Sequence, residues 1–355
     1  MKKVLIISFL LIVELNGFGQ NESDTLQKDE IFNEFKNKNY TRVIELCNEK
    51  LQSDSTDINA LLGIGRAYTS LNEFNLAIPY LLKVKNNATE SWQISWSMID
   101  LMTSYYGLGK INEAKEYYDK ALKIKGAISS ESSLKNLGLL FGFDIFYETW
   151  ETVEKDNITF HFQKTSSVNN LDNYIKEREL AFSNINAFFI SNMPKKIDFF
   201  VWKSNADAEK ILHTSLGFTK PQYCVSHNRS DQTKGHEIAH NISFWRDKNN
   251  VRTRLINEGI GVYFDQSNLN RMTNARKVAV DTKIDIKDMW LNGNNYQEQT
   301  IYPVAGAWVG ALALFDKKKF LTLSVNQTYE NALIIYGDEL DSMIEEFNKR
   351  VNKLK

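Results

Sequence analysis

The densest chemistry in the chain is His236-Glu237-Ile238-Ala239-His240. Residues four apart share one face of a helix, so both imidazoles can reach a single metal ion. Glu237 projects about 100° round the helix from His236, toward the side where a water at that ion would lie. Ile238, Ile242 and Trp245 fall on the opposite face and are expected to anchor the helix in a core. Asp231 and Thr233 are placed to cap its start. With five His in 355 residues, this spacing is informative. Glu258 follows 18 residues after His240, inside Asn257-Glu258-Gly259-Ile260-Gly261-Val262-Tyr263. A second helix returning beside the first brings its carboxylate to the same point. Two His and one Glu leave a fourth position open, the donor set of a catalytic rather than a structural zinc. Gly259 and Gly261 each cost a helix roughly 0.5–1 kcal/mol relative to Ala, which is tolerable where two helix backbones pack closely.

HExxH followed by N-E-G-x-small-x-Tyr resembles the gluzincin metallopeptidases, especially the peptidase MA-like group related to zinc aminopeptidases. The resemblance implies Zn2+ as cofactor, with His236, His240 and Glu258 as its ligands and Glu237 as general base. It implies peptide-bond hydrolysis: zinc acidifies a water and polarises the carbonyl, while Glu237 accepts the proton and passes it to the leaving amine. Related enzymes stabilise the oxyanion with a downstream Tyr, so Tyr302, in the run YPVAGAW, is the candidate for that role. The specific match spans about residues 230–265. Two departures are expected to loosen the site without removing a ligand. Lys234-Gly235 stands where an aliphatic residue usually precedes the motif, and Gly261 stands where Ala is usual.

The elements that must position these residues begin at Asn157. Ile158, Phe160 and Phe162 alternate with Thr159, His161 and Gln163, the pattern of a half-buried strand. Leu171 to Phe189 reads as an amphipathic helix, and Lys196 to Trp202 as a second strand rich in β-formers. Gln222 to Ser226 reads as a short third strand, at an edge where an extended substrate can pair. Helices and polar loops follow. Strands first and helices later predict an α+β domain over 155–355, which the resemblance makes a gluzincin-like metallopeptidase domain. His161 is expected on a polar sheet face, and His213 and His227 in surface or loop positions.

The first half repeats itself. Tyr40-Thr-Arg-Val43 aligns with Phe74-Asn-Leu-Ala77 at an offset of 34, and that block with Ile111-Asn-Glu-Ala114 at an offset of 37. Cys47, Leu81 and Tyr118 follow at matching positions. Gly65 and Tyr68 precede Ala77 as Met102 and Tyr105 precede Ala114. This resembles tetratricopeptide repeats, helix–turn–helix units of about 34 residues. Lys50 and Pro79 depart from the pattern, Pro79 costing a helix hydrogen bond outside the first turn. Trp92 and Trp96, four apart, are expected to pack between repeats. The expected organisation is a helical repeat domain over 20–133 ending in a linker-like Ala127–Ser133, then a connecting helix over 134–154. The repeats imply a protein or peptide partner.

Met1 to Gln20 has the layout of a secretory signal: Lys2 and Lys3, an apolar run from Val4 to Val13, then small residues, with a cut expected after Gly19. About ten apolar residues are too few to span a bilayer, which needs roughly 20, and no transmembrane segment is expected after signal removal. The mature chain is therefore expected outside the cytoplasm, soluble in the periplasm or extracellular space. Lys+Arg of 43 against Asp+Glu of 44 gives a net charge of -1, against a nucleic-acid partner. Two Cys make neither a disulfide scaffold nor a four-Cys zinc site. Cys47 and Cys224 are expected as separate thiols. The leading expectation is an exported zinc metallopeptidase acting on peptides or proteins. The other is an exported scaffold whose repeats bind a partner and whose second domain is inactive or merely holds metal.

Overall fold

The computed structural model describes residues 30–353; the expected signal segment, 1–19, lies outside them. The chain divides into two compact units between Thr149 and Trp150. In the first, seven helices follow one another among the described residues: α1 (Glu30–Lys36), α2 (Tyr40–Ser53), α3 (Ile58–Ser70), α4 (Phe74–Asn87), α5 (Ser91–Gly107), α6 (Ile111–Ala121) and α7 (Ile128–Leu140). Val43, Ala77 and Ala114, the aligned small or β-branched residues of the sequence pattern, have no exposed surface. α4 runs through Pro79, its sixth residue, so the carbonyl of Asn75 loses its helical donor.

Polar pairs 34 or 35 residues apart join the first helices of successive units. Thr69 and Ser104 hydroxyls lie 3.2 Å apart, and Gln93 Nε2 donates to Asn59 Oδ1 at 2.9 Å. Ser95 and Ser130 hydroxyls lie 2.7 Å apart. This last pair puts α7 in the register of one more repeat helix. Ala127–Ser133, expected as a linker, is therefore the start of that helix: Ser130 and Ser133 are buried partners rather than solvated residues. The connecting helix expected over 134–154 stops at Leu140. Gly142 takes a left-handed φ of 73°, and Phe143 N turns back to Gly138 O at 2.8 Å, a helix-ending geometry. Residues 151–154 are strand instead. Trp96 is buried beneath the Arg66 guanidinium, 4.0 Å from its ring, as expected of inter-repeat packing.

The second unit starts with β1 (Glu151–Glu154), β2 (Ile158–Phe162), α8 (Leu171–Phe189), β3 (Ile197–Trp202), α9 (Asn205–Leu212), β4 (Phe218–Lys220) and β5 (Val225–Arg229). It continues with α10 (His236–Phe244), α11 (Arg254–Tyr263), α12 (Arg271–Val278), α13 (Ile286–Leu291), α14 (Glu298–Phe315), α15 (Lys317–Leu323), α16 (Tyr329–Tyr336) and α17 (Glu339–Val351). The sheet order is β1-β2-β3-β5-β4, with β2-β3 and β3-β5 parallel and both outer pairs antiparallel. Strand alternation decides the faces. Ile158, Phe160 and Phe162 are fully buried and join one core with Ile185 and Phe189 of α8 and Ile238 and Ile242 of α10.

On the other face four rings stack in a row across four strands. His161 lies 4.4 Å from Phe200, Phe200 4.5 Å from His227, and His227 5.1 Å from Phe218. His227, expected at the surface, is fully buried in β5. Trp202 Nε1 donates to its Nδ1 at 3.0 Å, which satisfies the imidazole inside the sheet. His161 is on the sheet face, part-exposed, and bonds Asp198 at 2.8 Å. His213 is exposed at the end of α9. The strand expected at Gln222–Ser226 is displaced. Gln222 belongs to a 3-10 turn, Pro221–Tyr223, and β5 lies inside the sheet, so the edge next to the motif helix is β4. Among the described residues, no helix is long and apolar enough to cross a membrane.

Candidate metal centre

α10 carries the motif, and its apolar side fixes it: Ile238, Ala239 and Ile242 have no exposed surface. Trp245, expected on the same face, ends the helix half-buried, its Nε1 donating to Pro221 O at 2.7 Å. The start of α10 is set by backbone rather than by Asp231 or Thr233. Its N-cap is Gly235, and no side chain caps it. Gly235 N donates to Asp265 O at 3.1 Å, and a Cβ there would meet Phe264 O at 2.2 Å. The glycine before the motif is thus what lets the two chain segments touch. Asp231 instead pairs with Arg229 at 3.1 Å.

α11 is placed by the loop that precedes it. Val251 N donates to Val325 O and Gln327 N to Val251 O, both at 2.8 Å. The buried Gln327 side chain accepts from Thr253 N at 3.1 Å. Arg252 donates to Ser243 Oγ at 2.7 Å, tying the end of α10 to the start of α11. Burial pulls the Arg252 guanidinium down to about 10, with the Glu258 charge opposing. At Gly259, α11 lies so close to α14 that a Cβ would stand 2.6 Å from Ala305 O. Gly261 faces the other way, and a Cβ there would stand 2.7 Å from His236 Cε1. The Gly at this position, one of the departures expected to loosen the site, makes room for the His236 imidazole.

His236 Nε2, His240 Nε2 and Glu258 Oε2 form a triangle with sides of 3.1, 3.7 and 3.7 Å. Its circumradius is about 2.0 Å, the length of a zinc–nitrogen or zinc–oxygen bond. These three residues form a group able to hold a metal ion. The electrostatics suit a cation. Burial works against charge on Glu258, yet His240 and His236 hold its carboxyl well below the usual range. Burial likewise opposes protonation of His236, but the hydrogen bond it donates to Glu258 and the charges of Glu237, Glu258 and Asp265 raise it overall. A buried, acid-rich pocket of this kind is stabilised by a bound cation. His240 Nδ1 is buried with no hydrogen-bond partner among the described residues.

Glu237 is buried beside the triangle, its carboxylate accepting from Thr219 Oγ1 at 2.5 Å and Gln232 Nε2 at 2.6 Å. Tyr302 lies within α14, which continues through Pro303. Its ring stacks on His236 with centroids 6.0 Å apart. Burial, then the Glu258 charge, pushes its hydroxyl well above the ordinary range. All five residues singled out from sequence therefore meet at one place. Sequence reading missed Thr219, Gln232, Arg252 and Asn257, whose Nδ2 donates to Glu258 Oε1 at 3.0 Å. Asn257 adjoins Glu258 and was within reach of inspection; Thr219 reaches the site only through strand pairing.

A tetratricopeptide repeat family model matches residues 58–87 and 103–127, so the chain carries such repeats between 58 and 127. The first matched segment coincides with α3 and α4. No peptidase family model matches. No curated protein matches, and no solved structure does.

Proposed function

We propose that the chain is an exported, zinc-dependent metallopeptidase of the gluzincin type that hydrolyses peptide bonds. The observation that carries this reading is the triangle of His236, His240 and Glu258 with the Glu237 carboxylate beside it. Those residues fit a divalent ion, which when bound would polarise a carbonyl and acidify the attacking water. The chain's own groups do the rest. Glu237 accepts the proton of that water and returns it to the leaving amine. Tyr302, kept protonated, donates to the developing oxyanion. β4, the short strand at the sheet edge, offers backbone groups to an extended substrate.

The repeats support a second reading, a scaffold that binds a protein partner through its helical unit. A cavity of about 390 Å³ lined by Tyr118, Leu134, Glu131 and Asp144 lies in that unit. The two readings part on catalysis. Zinc-loaded wild type and Glu237→Gln are incubated with a broad fluorogenic peptide library. Cleavage by wild type and its loss in the variant support the peptidase; wild type that binds zinc and cleaves nothing leaves the scaffold.

A further inference from the structure

Glu237 is held from two directions by side chains that the motif does not include. Thr219, in the middle of the edge strand β4, places its Oγ1 2.5 Å from Glu237 Oε2 and 3.4 Å from the Glu237 carbonyl. Gln232, in the loop before α10, donates from Nε2 to Oε1 at 2.6 Å. Gln232 is itself fixed. The Gln232 backbone carbonyl accepts from Arg178 Nη2 at 2.9 Å, and Arg178 is a buried residue of α8 whose guanidinium lies 3.3 Å over the Tyr174 ring. Gln232 Oε1 accepts from Arg229 N at 3.4 Å. Gly217, with φ +89°, gives the amide room, since a Cβ there would stand 2.9 Å from Nε2.

Each carboxylate oxygen has two lone-pair directions, and each donor occupies one of them. The consequence is geometric. A glutamate next in sequence to His236 on the same helix, buried and one turn from His240, can serve as a proton acceptor or swing in as a fourth donor to the ion. A fourth protein donor would close the open position that catalysis requires. We infer that Thr219 and Gln232 are positioning residues that hold the Glu237 carboxylate beside the three-donor triangle as a base and keep it from becoming a ligand. The inference rests on the metallopeptidase reading and adds two residues to it.

Cobalt(II) gives a readout independent of turnover, because its visible absorption reports the identity and geometry of its donors. Full-length wild type, Thr219→Ser, Thr219→Val, Gln232→Ala and the Thr219→Val/Gln232→Ala pair are loaded with Co2+, each with and without Glu237→Gln. Circular dichroism melts select the variants that fold, and the single variants carry the test if the pair does not. Wild type and Glu237→Gln are expected to share one spectrum. Unclamped variants are expected to show the shifted visible bands of a site in which a carboxylate has replaced water, and about 10-fold tighter Co2+ binding, both reverting when Glu237→Gln is added. Thr219→Ser, which keeps the hydroxyl, is expected to restore the wild-type spectrum. On a cleaved peptide, kcat is expected to fall about 10- to 100-fold in the unclamped variants with KM unchanged. Unclamped variants with the wild-type spectrum and affinity overturn the inference. Wild type that binds Co2+ but cleaves nothing removes the hydrolase reading while the spectra still decide the clamp; wild type that takes up no Co2+ removes both.

Discussion

Gly261 lies directly against the imidazole of His236: a β-carbon on the one would stand 2.7 Å from Cε1 of the other. Two residues earlier, Gly259 stands in the same relation to a backbone carbonyl, that of Ala305, at 2.6 Å. The two contacts separate ligand placement from helix packing. Gly261→Ala is expected to turn or displace the ring and weaken Zn2+ binding by about 10-fold or more, with a small change in melting temperature. Gly259→Ala must push α11 off α14 and is expected to cost about 1–3 kcal/mol of stability. Paired zinc titrations and chemical denaturation check this. Equal effects of the two substitutions on affinity would count against it.

Arg66 and Asp100 form a buried pair in the repeat unit, Nε to Oδ2 3.2 Å, with the guanidinium also over Trp96. Removing one member leaves the other charged and desolvated. Asp100→Ala is expected to destabilise the protein by about 3–5 kcal/mol, far beyond an exposed pair such as Lys120 with Glu116, where about 0–1 kcal/mol is expected. Urea denaturation followed by circular dichroism measures both.

Asp198 is buried between Lys195 and His161. Burial alone would raise its carboxyl, but the Lys195 charge and the His161 hydrogen bond hold it well below the ordinary carboxylate range. The folded protein therefore keeps this group ionised at pH values where the unfolded chain binds a proton, near pH 3.9. Its stabilisation is present above that pH and is lost as pH falls toward the folded value. Asp198→Asn is expected to lower stability at pH 7 and to flatten the fall between pH 5 and pH 3. A variant with the wild-type slope would contradict this.

Cys224 has no exposed surface, and burial raises its thiol to about 12. Thiolate is the reactive form, so Cys224 is expected to resist iodoacetamide at pH 8 in the native protein and to react fully in guanidinium. Mass spectrometry after a timed exposure reads the difference. Fast native labelling at Cys224 would show that the turn leading into β5 opens.

What the chain disclosed before folding depended on how local the signal was. Ile158, Phe160 and Phe162 alternate, so β2 was readable. The amphipathic pattern of Leu171–Phe189 matched α8 end to end. The HExxH spacing and Glu258 named a donor set because helical geometry relates positions four apart. Ser130 was misread because a serine-rich stretch looks solvated, and only its partner Ser95, 35 residues away, makes it core. Gly142 ended a helix that its apolar neighbours seemed to prolong. The edge strand was misplaced because β4 and β5 are short and neither has a full alternating pattern; order within a sheet is set by pairing between strands. His227 was missed for the same reason, being a histidine whose burial depends on Trp202 across the sheet. Tyr302 was reachable only through the resemblance, since α14 brings it to His236 from 66 positions away in the chain.

Zinc binding by the intact protein tests the central claim most directly. Metal-free wild type, His240→Ala, Glu258→Ala and Glu237→Gln are titrated with Zn2+ by calorimetry, with metal content checked by mass spectrometry. Wild type and Glu237→Gln should each take up one ion per chain with comparable affinity, and His240→Ala and Glu258→Ala should lose that tight site. Tight binding that survives Glu258→Ala, or no saturable uptake by wild type, would contradict the metal centre and the hydrolysis built on it.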